Sequence, residues 1–446
     1  MAHVEVPELS ERASYVSIFG RPVHRAWIML LGCGFFSMAT VAVVFSPIGL
    51  FYVAVCDEMG FARSDISLWQ QVHFLTAIPS MPLAAKALER FGARPCMSVT
   101  VIGCAAAALL MGTYTEAWQW SISGFLYGSL GVLGTMQLAG PIVVGNWFGR
   151  RAGMAMGIYG IIGAVAAVIV PPVFSVIIEG VGWRAAYMVQ GLLILALGLW
   201  FTLFVARLRP ADAGAIPYGV TLAEARERAA EVIEAGGKAA QEKVPWRSIV
   251  SVPFFMLFLF AGISSLIGSG FDAHLAGHGV AKGFDMAFGS LMTSALFLGS
   301  GVDKLVMGWL NDKIGVNRTV FLEYAVVIAG MLGLVVFTQP GLVLGASFLF
   351  GVQDSFISVS LPLLVRKFFG VEKVAQVLAW ASIGSGIFGS FGSRLVGYSY
   401  DATGSFDPAF LVGVGLCFVG MACIGVANVS KARSQRRARA AGEAAE

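Results

Sequence analysis

The sequence predicts an all-α membrane protein of twelve transmembrane helices, arranged as two similar halves of six helices each. Three observations lead to this fold class. Apolar residues make up 57% of the 446 residues and charged residues only 13%, which leaves too few charges to cover a water-soluble protein of this length. Long apolar segments recur along the whole chain. Two loop motifs of the first half return about 220 residues later in the second half.

Each of twelve apolar segments is long enough to cross the hydrocarbon core of a bilayer, which takes about 20 residues of helix. Their apolar residues run continuously instead of alternating at every second position, so the segments are predicted to be helices. The predicted spans cover residues 26–54, 65–87, 95–113, 117–145, 153–178, 184–206, 249–277, 286–310, 319–338, 341–365, 374–398 and 408–430.

The spans fall into two groups that are joined by one long loop. The predicted organisation is an N-terminal segment 1–25, a first half 26–206, a linker 207–248, a second half 249–430 and a basic tail 431–446. In the linker, Thr221 and Glu224 have the spacing of a capping box, which predicts the start of a short surface helix.

Basic residues predict the orientation, because Lys and Arg accumulate on the cytoplasmic side of membrane proteins. With the N-terminus inside, the cytoplasmic segments carry 25 of the 30 Lys and Arg residues, whereas the outer loops carry only Arg63, Arg184 and Lys282. Both termini are therefore predicted to be cytoplasmic. The N-terminal residues lack the basic start and short apolar core of a cleaved signal peptide, so the first span is expected to be retained.

Several other classes of protein do not fit this sequence. The net charge of +4 does not indicate a nucleic-acid partner, because the basic residues are spread over short loops between apolar spans. The six cysteines form no CxxC pair and mostly lie in apolar runs, so they are expected to be small apolar helix residues. No nucleophile with a base, phosphate loop or metal-ligand spacing is found, so neither an enzymatic activity nor a cofactor is predicted.

The two loop motifs repeat at nearly one offset. Residues 89–94 (Glu-Arg-Phe-Gly-Ala-Arg) follow the second span, and residues 312–317 (Asp-Lys-Ile-Gly-Val-Asn) follow the eighth at an offset of 223 residues. Pro141 lies six residues before Trp-Phe-Gly, and Pro362 lies six residues before Phe-Phe-Gly, at an offset of 221. Two parallel halves joined by a long cytoplasmic loop are typical of a transporter.

At these loops the sequence resembles the major facilitator superfamily, whose loop between helices two and three reads G-x-x-x-D-R-x-G-R-R. The second-half copy fits that pattern well, whereas the first copy has Ala85 in place of the glycine and Glu89 in place of the aspartate. The resemblance implies the fold of that superfamily, and it implies that both copies hold the cytoplasmic side closed in the outward-open state. The predicted gating residues are Glu89, Arg90, Arg94, Gly308, Asp312 and Lys313.

Three further segments are similar to the monocarboxylate transporters and their bacterial relatives, which include the oxalate:formate antiporters. They are residues 146–157 at the start of the fifth helix, residues 209–219 after the sixth and residues 397–404 at the end of the eleventh. The resemblance implies a small organic anion as substrate and a proton as the coupled ion. It also implies a bacterial inner-membrane location, and a monomer is expected.

Lys304 is the candidate residue for binding the substrate. It lies eight residues before Asp312, which marks the cytoplasmic boundary, so the helical rise places it about 12 Å into the membrane. A charge at that depth costs roughly 2.5–3.5 kcal/mol. Monocarboxylate transporters carry a basic residue four positions before the motif glycine, here Gly308, so the resemblance implies that Lys304 binds the substrate carboxylate. The alternative is a lysine that snorkels to the cytoplasmic interface.

Two acids are candidates for carrying the coupled proton. Asp354 lies in the middle of the tenth span, where an aspartate must be protonated, paired or both. We expect Asp354 to pair with Lys304 in the empty carrier, so that an incoming carboxylate and a proton replace this pairing. The alternative role for Asp354 is a structural hydrogen bond to a neighbouring helix. Asp303 is adjacent to Lys304 in sequence, and the sequence does not decide between the two acids.

Neutral polar residues are expected to complete the site, although each is equally consistent with contacts between helices. These residues are Gln137, Ser300, Gln353 and Ser382. Arg394, late in the eleventh span, is expected to pair with Asp272 or Asp401 at the outer edge of the membrane, and the alternative is that it attracts anions in the outer vestibule.

Proton-coupled symport of a small monocarboxylate, such as lactate or pyruvate, is the function that fits these residues best. Oxalate:formate antiporters carry a second cation in helix eleven, where Ser382 stands here, and one buried cation suits a monocarboxylate better than a dianion. The alternative is exchange or efflux of organic anions or drugs, although residues 163–171 lack the glycine before proline that drug antiporters favour. A sensor that keeps the carrier fold without transporting is a third possibility.

Overall fold

The computed structural model describes residues 9–18, 20–131, 139–227, 250–370 and 373–443, and it is almost entirely helical. Two short antiparallel strands, β1 (Tyr15–Ile18) and β2 (Arg21–His24), form a hairpin before the first helix. The helices of seven or more described residues are α1 (Arg25–Ser37), α2 (Ile48–Met59), α3 (Leu68–Phe91), α4 (Ala93–Met111), α5 (Trp120–Leu126), α6 (Ala139–Trp147), α7 (Ala152–Trp200), α8 (Val252–Ala281), α9 (Met286–Ile314), α10 (Val316–Val336), α11 (Pro340–Phe350), α12 (Leu361–Phe369), α13 (Val374–Thr403) and α14 (Asp407–Glu443).

Short segments extend or connect these helices. In the part of the chain that the structure describes, four are 3₁₀ turns, four are π-helical and two are short α-helices, apart from the helical residues 222–227 of the linker. The 3₁₀ turns are Arg12–Ser14, Ala117–Gln119, Pro210–Ala213 and Gly351–Asp354. The π-helical segments are Met38–Ala42, Tyr127–Gly131, Phe201–Val205 and Phe356–Ser360. The short α-helices are Val43–Phe45 and Arg63–Ile66.

Every predicted span overlaps helix in the structure, although residues 132–138 of the fourth span lie outside the described chain. Within α7, Gly182 has a φ of 80° and separates the fifth predicted span from the sixth. Seven helical stretches of the described residues are long and apolar enough to cross a membrane, so an all-α membrane protein is confirmed and the number twelve stays a prediction. Helices α3, α9 and α13 are not among the seven, and all three carry charged residues in their length.

The buried apolar side chains form two large clusters. One cluster is drawn from residues 26–215 together with Ala273 and Ala276 of α8, and the other is drawn from residues 257–424. Many large apolar side chains are exposed instead of buried, such as Val176 and Leu305, each 71% exposed. Such exposure is expected where lipid, and not water, surrounds the helices.

The helices run between two ends of the molecule, which we call the terminal end and the far end. The terminal end carries β1, β2 and the last turns of α14. There Arg94 donates from Nε to the Ala206 carbonyl (3.1 Å) and from Nη2 to the Phe204 carbonyl (2.6 Å), which satisfies the carbonyls at the end of the π-helical segment Phe201–Val205. The far end carries the loops at the opposite ends of the helices, such as the loop between α2 and α3.

The capping box predicted in the linker is present at the terminal end. The Thr221 backbone N–H donates to Glu224 Oε2 at 3.0 Å, and the Glu224 backbone N–H donates to the Thr221 hydroxyl oxygen at 3.3 Å. Residues 222–227 are helical, so the two reciprocal bonds satisfy backbone donors at the helix start. Arg150 pairs with Glu224 and connects this helix to the loop after α6.

Candidate functional site

An ion pair between α9 and the segment that joins α11 to α12 forms the centre of the candidate site. Lys304 Nζ lies 2.6 Å from Asp354 Oδ2, and the Ser300 hydroxyl donates to the same oxygen at 2.7 Å. The pair expected from the sequence is therefore present. The Lys304 and Asp354 side chains keep 42% and 48% of their surface exposed, so the pair lines an opening between the helices and is not sealed in a packed core.

Two glycines allow α9 and α11 to come into backbone contact beside this pair. A Cβ on Gly299 would overlap the Phe348 carbonyl oxygen, and a Cβ on Gly351 would overlap the Leu296 carbonyl oxygen. Only glycine permits such an approach, as is common where membrane helices pack closely. The contact fixes the distance that the Lys304 side chain must span to reach the carboxylate.

The helical geometry changes at the acid itself. The chain is 3₁₀-helical over Gly351–Asp354 and π-helical over Phe356–Ser360 before α12 begins. Such irregular turns within a helix often occur at functional sites, because they change the direction of the side chains and leave backbone groups that can move. Asp354 therefore lies at the point where this helix is least regular.

Asp272 of α8 lies beside the pair and was not among the predicted site residues. Gln353 Nε2 lies 3.3 Å from both carboxylate oxygens of Asp272. The 3₁₀ turn thus directs Gln353 towards α8 and its neighbour Asp354 towards α9. The sequence does show an aspartate within a predicted span, which could have indicated a site residue. However, the span was predicted to end at residue 277, so Asp272 was placed near the membrane surface. Because α8 continues to Ala281, Asp272 lies about 13 Å from the helix end.

Two further acids are buried behind the pair. Asp303 is 4% exposed, and its Oδ2 atom has no hydrogen-bond partner within the described ranges. Glu323 of α10 is fully buried and accepts a hydrogen bond from the Ser360 hydroxyl at 2.8 Å. Glu323 was not predicted as a site residue, although it lies within the ninth predicted span. Both carboxylates face packed helices and do not face the opening.

Of the four neutral polar residues predicted for the site, those that the structure describes differ in how close they lie to the ion pair. Gln137 lies outside the described residues. The Ser382 hydroxyl donates to the Leu378 carbonyl of its own helix at 2.9 Å and is not hydrogen-bonded to the pair. Of the four neutral residues, Ser300 therefore contacts the ion pair directly and Gln353 lies next to it in the chain.

Hydrogen bonds between the two halves close the far end. The backbone N–H groups of Arg63 and Ser64 donate to the two carboxylate oxygens of Asp401, each at 2.9 Å. These N–H groups begin the short helix Arg63–Ile66, so the carboxylate at the end of α13 caps a helix of the other half. A Cβ on Gly397 would lie 2.9 Å from the Ser64 nitrogen, so this close approach requires glycine.

Further contacts between the halves strengthen the closure. They join the Ser67 hydroxyl to His274 Nε2 at 3.3 Å, and the Ser294 hydroxyl to the Val168 carbonyl at 2.7 Å. A Cβ on Gly49 of α2 would lie 2.9 Å from the Ala273 carbonyl oxygen of α8. The two halves are thus packed together from the middle of the bundle to the far end.

Arg394 also joins the halves, but not as predicted. Its Nη1 atom donates to Gln71 Oε1 at 3.1 Å. The expected pairing with Asp272 or Asp401 is wrong, because Asp272 bonds to Gln353 and Asp401 accepts from backbone N–H groups. At this interface the guanidinium group of Arg394 therefore donates to an uncharged amide and not to a carboxylate.

The predicted gating residues lie at the terminal end and do not join the halves in this conformation. Glu89 and Asp312 are exposed, and across the described chain neither side chain makes a hydrogen bond or an ion pair. The other gating residues interact within their own half or face open space. Arg94 bonds to Phe204 and Ala206, Arg90 lies over the ring of Phe91, Lys313 lies over the ring of Trp309, and a Cβ on Gly308 would meet nothing.

The exposed ion pair and the closed far end together indicate the end of the molecule to which the site is open. The halves are in contact beyond the pair and are not joined by the gating residues, so we infer that the opening at Lys304 and Asp354 leads to the terminal end. The arrangement places one cation, one exposed acid and one hydroxyl at the closed bottom of this opening. Such a site is suited to binding a single negative charge.

The chain is similar to several known membrane transporters. The sequence profile of the Major Facilitator Superfamily matches residues 30–361 and 280–445. Monocarboxylate transporter 12 of Rattus norvegicus is 22% identical over 435 residues, which cover 91% of this chain and 86% of that protein. The Probable sulfoacetate transporter SauU of Cupriavidus necator is 24% identical over 82% of this chain and 85% of that protein. A crystal structure of a variant of the nucleoside transporter NupG matches at a TM-score of 0.69 and 13% identity, over 89% of this chain and 99% of that one, which shows a shared fold.

Proposed function

This chain belongs to the Major Facilitator Superfamily and resembles its monocarboxylate transporters, and we propose that it carries a small monocarboxylate across the membrane together with a proton. The observation that carries this proposal is the ion pair between Lys304 and Asp354, whose atoms are 2.6 Å apart and whose side chains keep 42% and 48% of their surface exposed. A single cation that is already neutralised by one acid can bind a second carboxylate only if the first loses its charge. A proton removes that charge.

The exchange of partners at Lys304 balances the charge of the site. In the empty carrier, Lys304 and Asp354 neutralise each other. An incoming carboxylate takes the place of Asp354 on Lys304 Nζ, and Asp354 takes up a proton and keeps its hydrogen bond with Ser300. The loaded site contains one cation, one bound carboxylate and one neutral acid, so its net charge is the same as before loading. Because no net charge is added, the loaded carrier changes conformation without the large cost of an uncompensated charge in the membrane.

In alternating access, one end of the carrier is closed in each conformation and the other end is open. In the conformation described, Asp401 and Gln71 of opposite halves contribute to the closure of the far end. We propose that in the other conformation Glu89 and Asp312 contribute to closing the terminal end, by accepting hydrogen bonds from the half they face, as Asp401 does at the far end. Both acids are exposed and ready for such contacts here.

The membrane orientation is part of the same proposal. We propose that all twelve predicted spans cross the bacterial inner membrane in two halves of six, with both termini in the cytoplasm. The terminal end then carries most of the Lys and Arg residues, in agreement with the positive-inside rule. On this orientation the described conformation is open to the cytoplasm.

Transport by the purified protein in liposomes tests this function. Uptake of labelled lactate, pyruvate and oxalate is measured with and without an inward proton gradient, while potassium and valinomycin hold the membrane potential at zero. We expect gradient-driven uptake of the two monocarboxylates and little uptake of oxalate. Uptake that ignores the gradient but is stimulated by anion inside the liposomes would instead show exchange. Empty liposomes provide the background.

A further inference from the structure

A second cavity, distinct from the opening at the ion pair, lies between the two halves and has a volume of about 100 Å³. Its walls come from Ser37, from the π-helical segment Met38–Ala42 and the residues after it, from Gly163 and Ala167 of α7, and from Phe297 of α9. Most of its lining is apolar. Helices of both halves contribute, so the cavity belongs to the interface that must rearrange during transport.

The cavity and the ion pair lie on the same side of α9. Phe297 and Lys304 are seven residues apart, close to two full turns, so their side chains project from one face of the helix. Gly301 lies between them, and a Cβ there would be 3.6 Å from the Cβ of Ala164, the neighbour of the cavity residue Gly163. The space beside Lys304 is therefore bordered by the same part of α7 that lines the cavity.

The Lys304 ammonium group and the cavity residue Phe297 lie at nearby levels along α9. Asp354 Oδ2 is bonded both to Lys304 Nζ at 2.6 Å and to the Ser300 hydroxyl at 2.7 Å, so Nζ lies near the level of Ser300. Ser300 is three residues from Phe297, a rise of about 4.5 Å along the helix. A carboxylate bound at Nζ would thus have the apolar cavity within the length of a few carbon–carbon bonds.

We propose that this cavity holds the apolar tail of the carried monocarboxylate and so sets the chain length of the substrate. This assignment depends on the proposed function, because it requires a carboxylate on Lys304. An apolar cavity of about 150 Å³ is large enough for benzene, with six carbons, so about 100 Å³ has room for roughly four. The substrate class is therefore a short aliphatic monocarboxylate of about three to five carbons, with its tail away from Lys304.

Substitutions at Gly163 and Phe297 can change the volume of the cavity. A Cβ on Gly163 would meet only the Ser37 hydroxyl, at 3.8 Å, which is ordinary contact. Gly163→Leu therefore fits the helix and projects its side chain into the cavity, whereas Phe297→Ala enlarges it. Gly415→Leu is the matched control, because Gly415 lies in α14 and a Cβ there would meet nothing within 4 Å.

Competition by straight-chain acids tests the proposal in liposomes that contain the full chain. Unlabelled acetate, propionate, butyrate, valerate, hexanoate and octanoate compete with labelled pyruvate for gradient-driven uptake. We expect inhibition to strengthen about fourfold per methylene until the cavity is full, the value that burial of one methylene gives, and then to stop rising. Gly163→Leu should move the optimum to shorter acids, and Phe297→Ala should move it to longer ones.

The outcomes separate the two proposals. If the wild-type protein takes up no carboxylate, the proposed function fails and the cavity assignment fails with it. If the wild type transports, but Gly163→Leu and Phe297→Ala both keep its chain-length profile, the cavity assignment alone is overturned. Should Gly163→Leu fail to fold, the Phe297→Ala profile still decides. Gly415→Leu is expected to retain the wild-type profile.

Discussion

Asp354→Asn separates substrate binding from proton coupling. The amide keeps the shape of the side chain and its place beside Ser300, but it carries no charge and cannot take up a proton in the transport cycle. Lys304 is then free of its competing anion at every pH. We expect the variant to bind monocarboxylate more tightly than the wild type and to lose gradient-driven uptake, while exchange of internal for external substrate continues.

The size of the effect follows from the geometry of the pair. A hydrogen bond between charged groups contributes about 1.5–3 kcal/mol when it is buried. Here the distance is short, 2.6 Å, but the two side chains are 42% and 48% exposed, so water screens the interaction and the lower part of that range applies. Removing the competition should therefore tighten substrate binding about tenfold, which corresponds to roughly 1.4 kcal/mol.

Binding of labelled pyruvate to the purified protein in detergent, measured from about pH 5.5 to about pH 8, is the assay. In the wild type, substrate binding takes up a proton, so affinity should fall as the pH rises. In Asp354→Asn, affinity should be higher and independent of pH over this range. Glu227→Gln, which removes an exposed acid of the linker helix, is the control. A variant with wild-type affinity and intact gradient-driven uptake would refute the role assigned to Asp354.

Three other substitutions test contacts at the far end, beside the ion pair and at the terminal end. Asp401→Asn removes the charge that caps the helix at the far end, worth about 0.3–1 kcal/mol, so hydrogen exchange of the backbone amides over 60–67 should become about two- to fivefold faster. Gly351→Ala forces the α9 and α11 backbones apart and should cost about 1–3 kcal/mol, seen as a lower thermal midpoint, whereas Gly345→Ala has open space and should not lower it. Arg94→Ala removes two hydrogen bonds to carbonyls at a helix end and should lower the midpoint by a similar amount, because about 0.5–1.5 kcal/mol is lost per bond.

The helical fold and the ion pair could be predicted from the sequence. Continuous apolar runs require helices in a lipid environment, so the predicted spans overlap helices wherever the structure describes them, although the last helix extends to Glu443, well beyond the predicted end at residue 430. Lys304 and Asp354 stood out because a charge near the middle of a span is costly unless it is compensated. Two opposite charges at similar depth in one half have few other ways to be neutralised, and the structure contains the pair.

Contacts that depend on how the halves meet could not be predicted in this way. Asp272 was placed too near the membrane surface, because the end of an apolar run does not mark the end of a helix. The partner of Arg394 was wrong, since it comes from α3 of the other half, and sequence distance carries no information about that interface. The role of Asp401 in capping the helix at Arg63 was missed for the same reason.

No sequence pattern predicts the apolar cavity. Gly163 and Phe297 look like ordinary residues of apolar helices, and a cavity arises only from gaps left when several helices pack together. The 3₁₀ and π geometry around Asp354 is likewise not marked by a sequence pattern, and it occurs where Gly351 packs against the Leu296 carbonyl.

If Lys304 binds the carboxylate of the substrate, the Lys304→Ala variant must lose most of its uptake. Gradient-driven uptake of labelled pyruvate into liposomes should fall about tenfold to a hundredfold at substrate concentrations below saturation, since a charge-assisted hydrogen bond is lost. Lys304→Arg, which keeps the charge, should retain saturable uptake. A Lys304→Ala variant that transports pyruvate with wild-type affinity and wild-type dependence on the proton gradient would show that Lys304 does not bind the carboxylate.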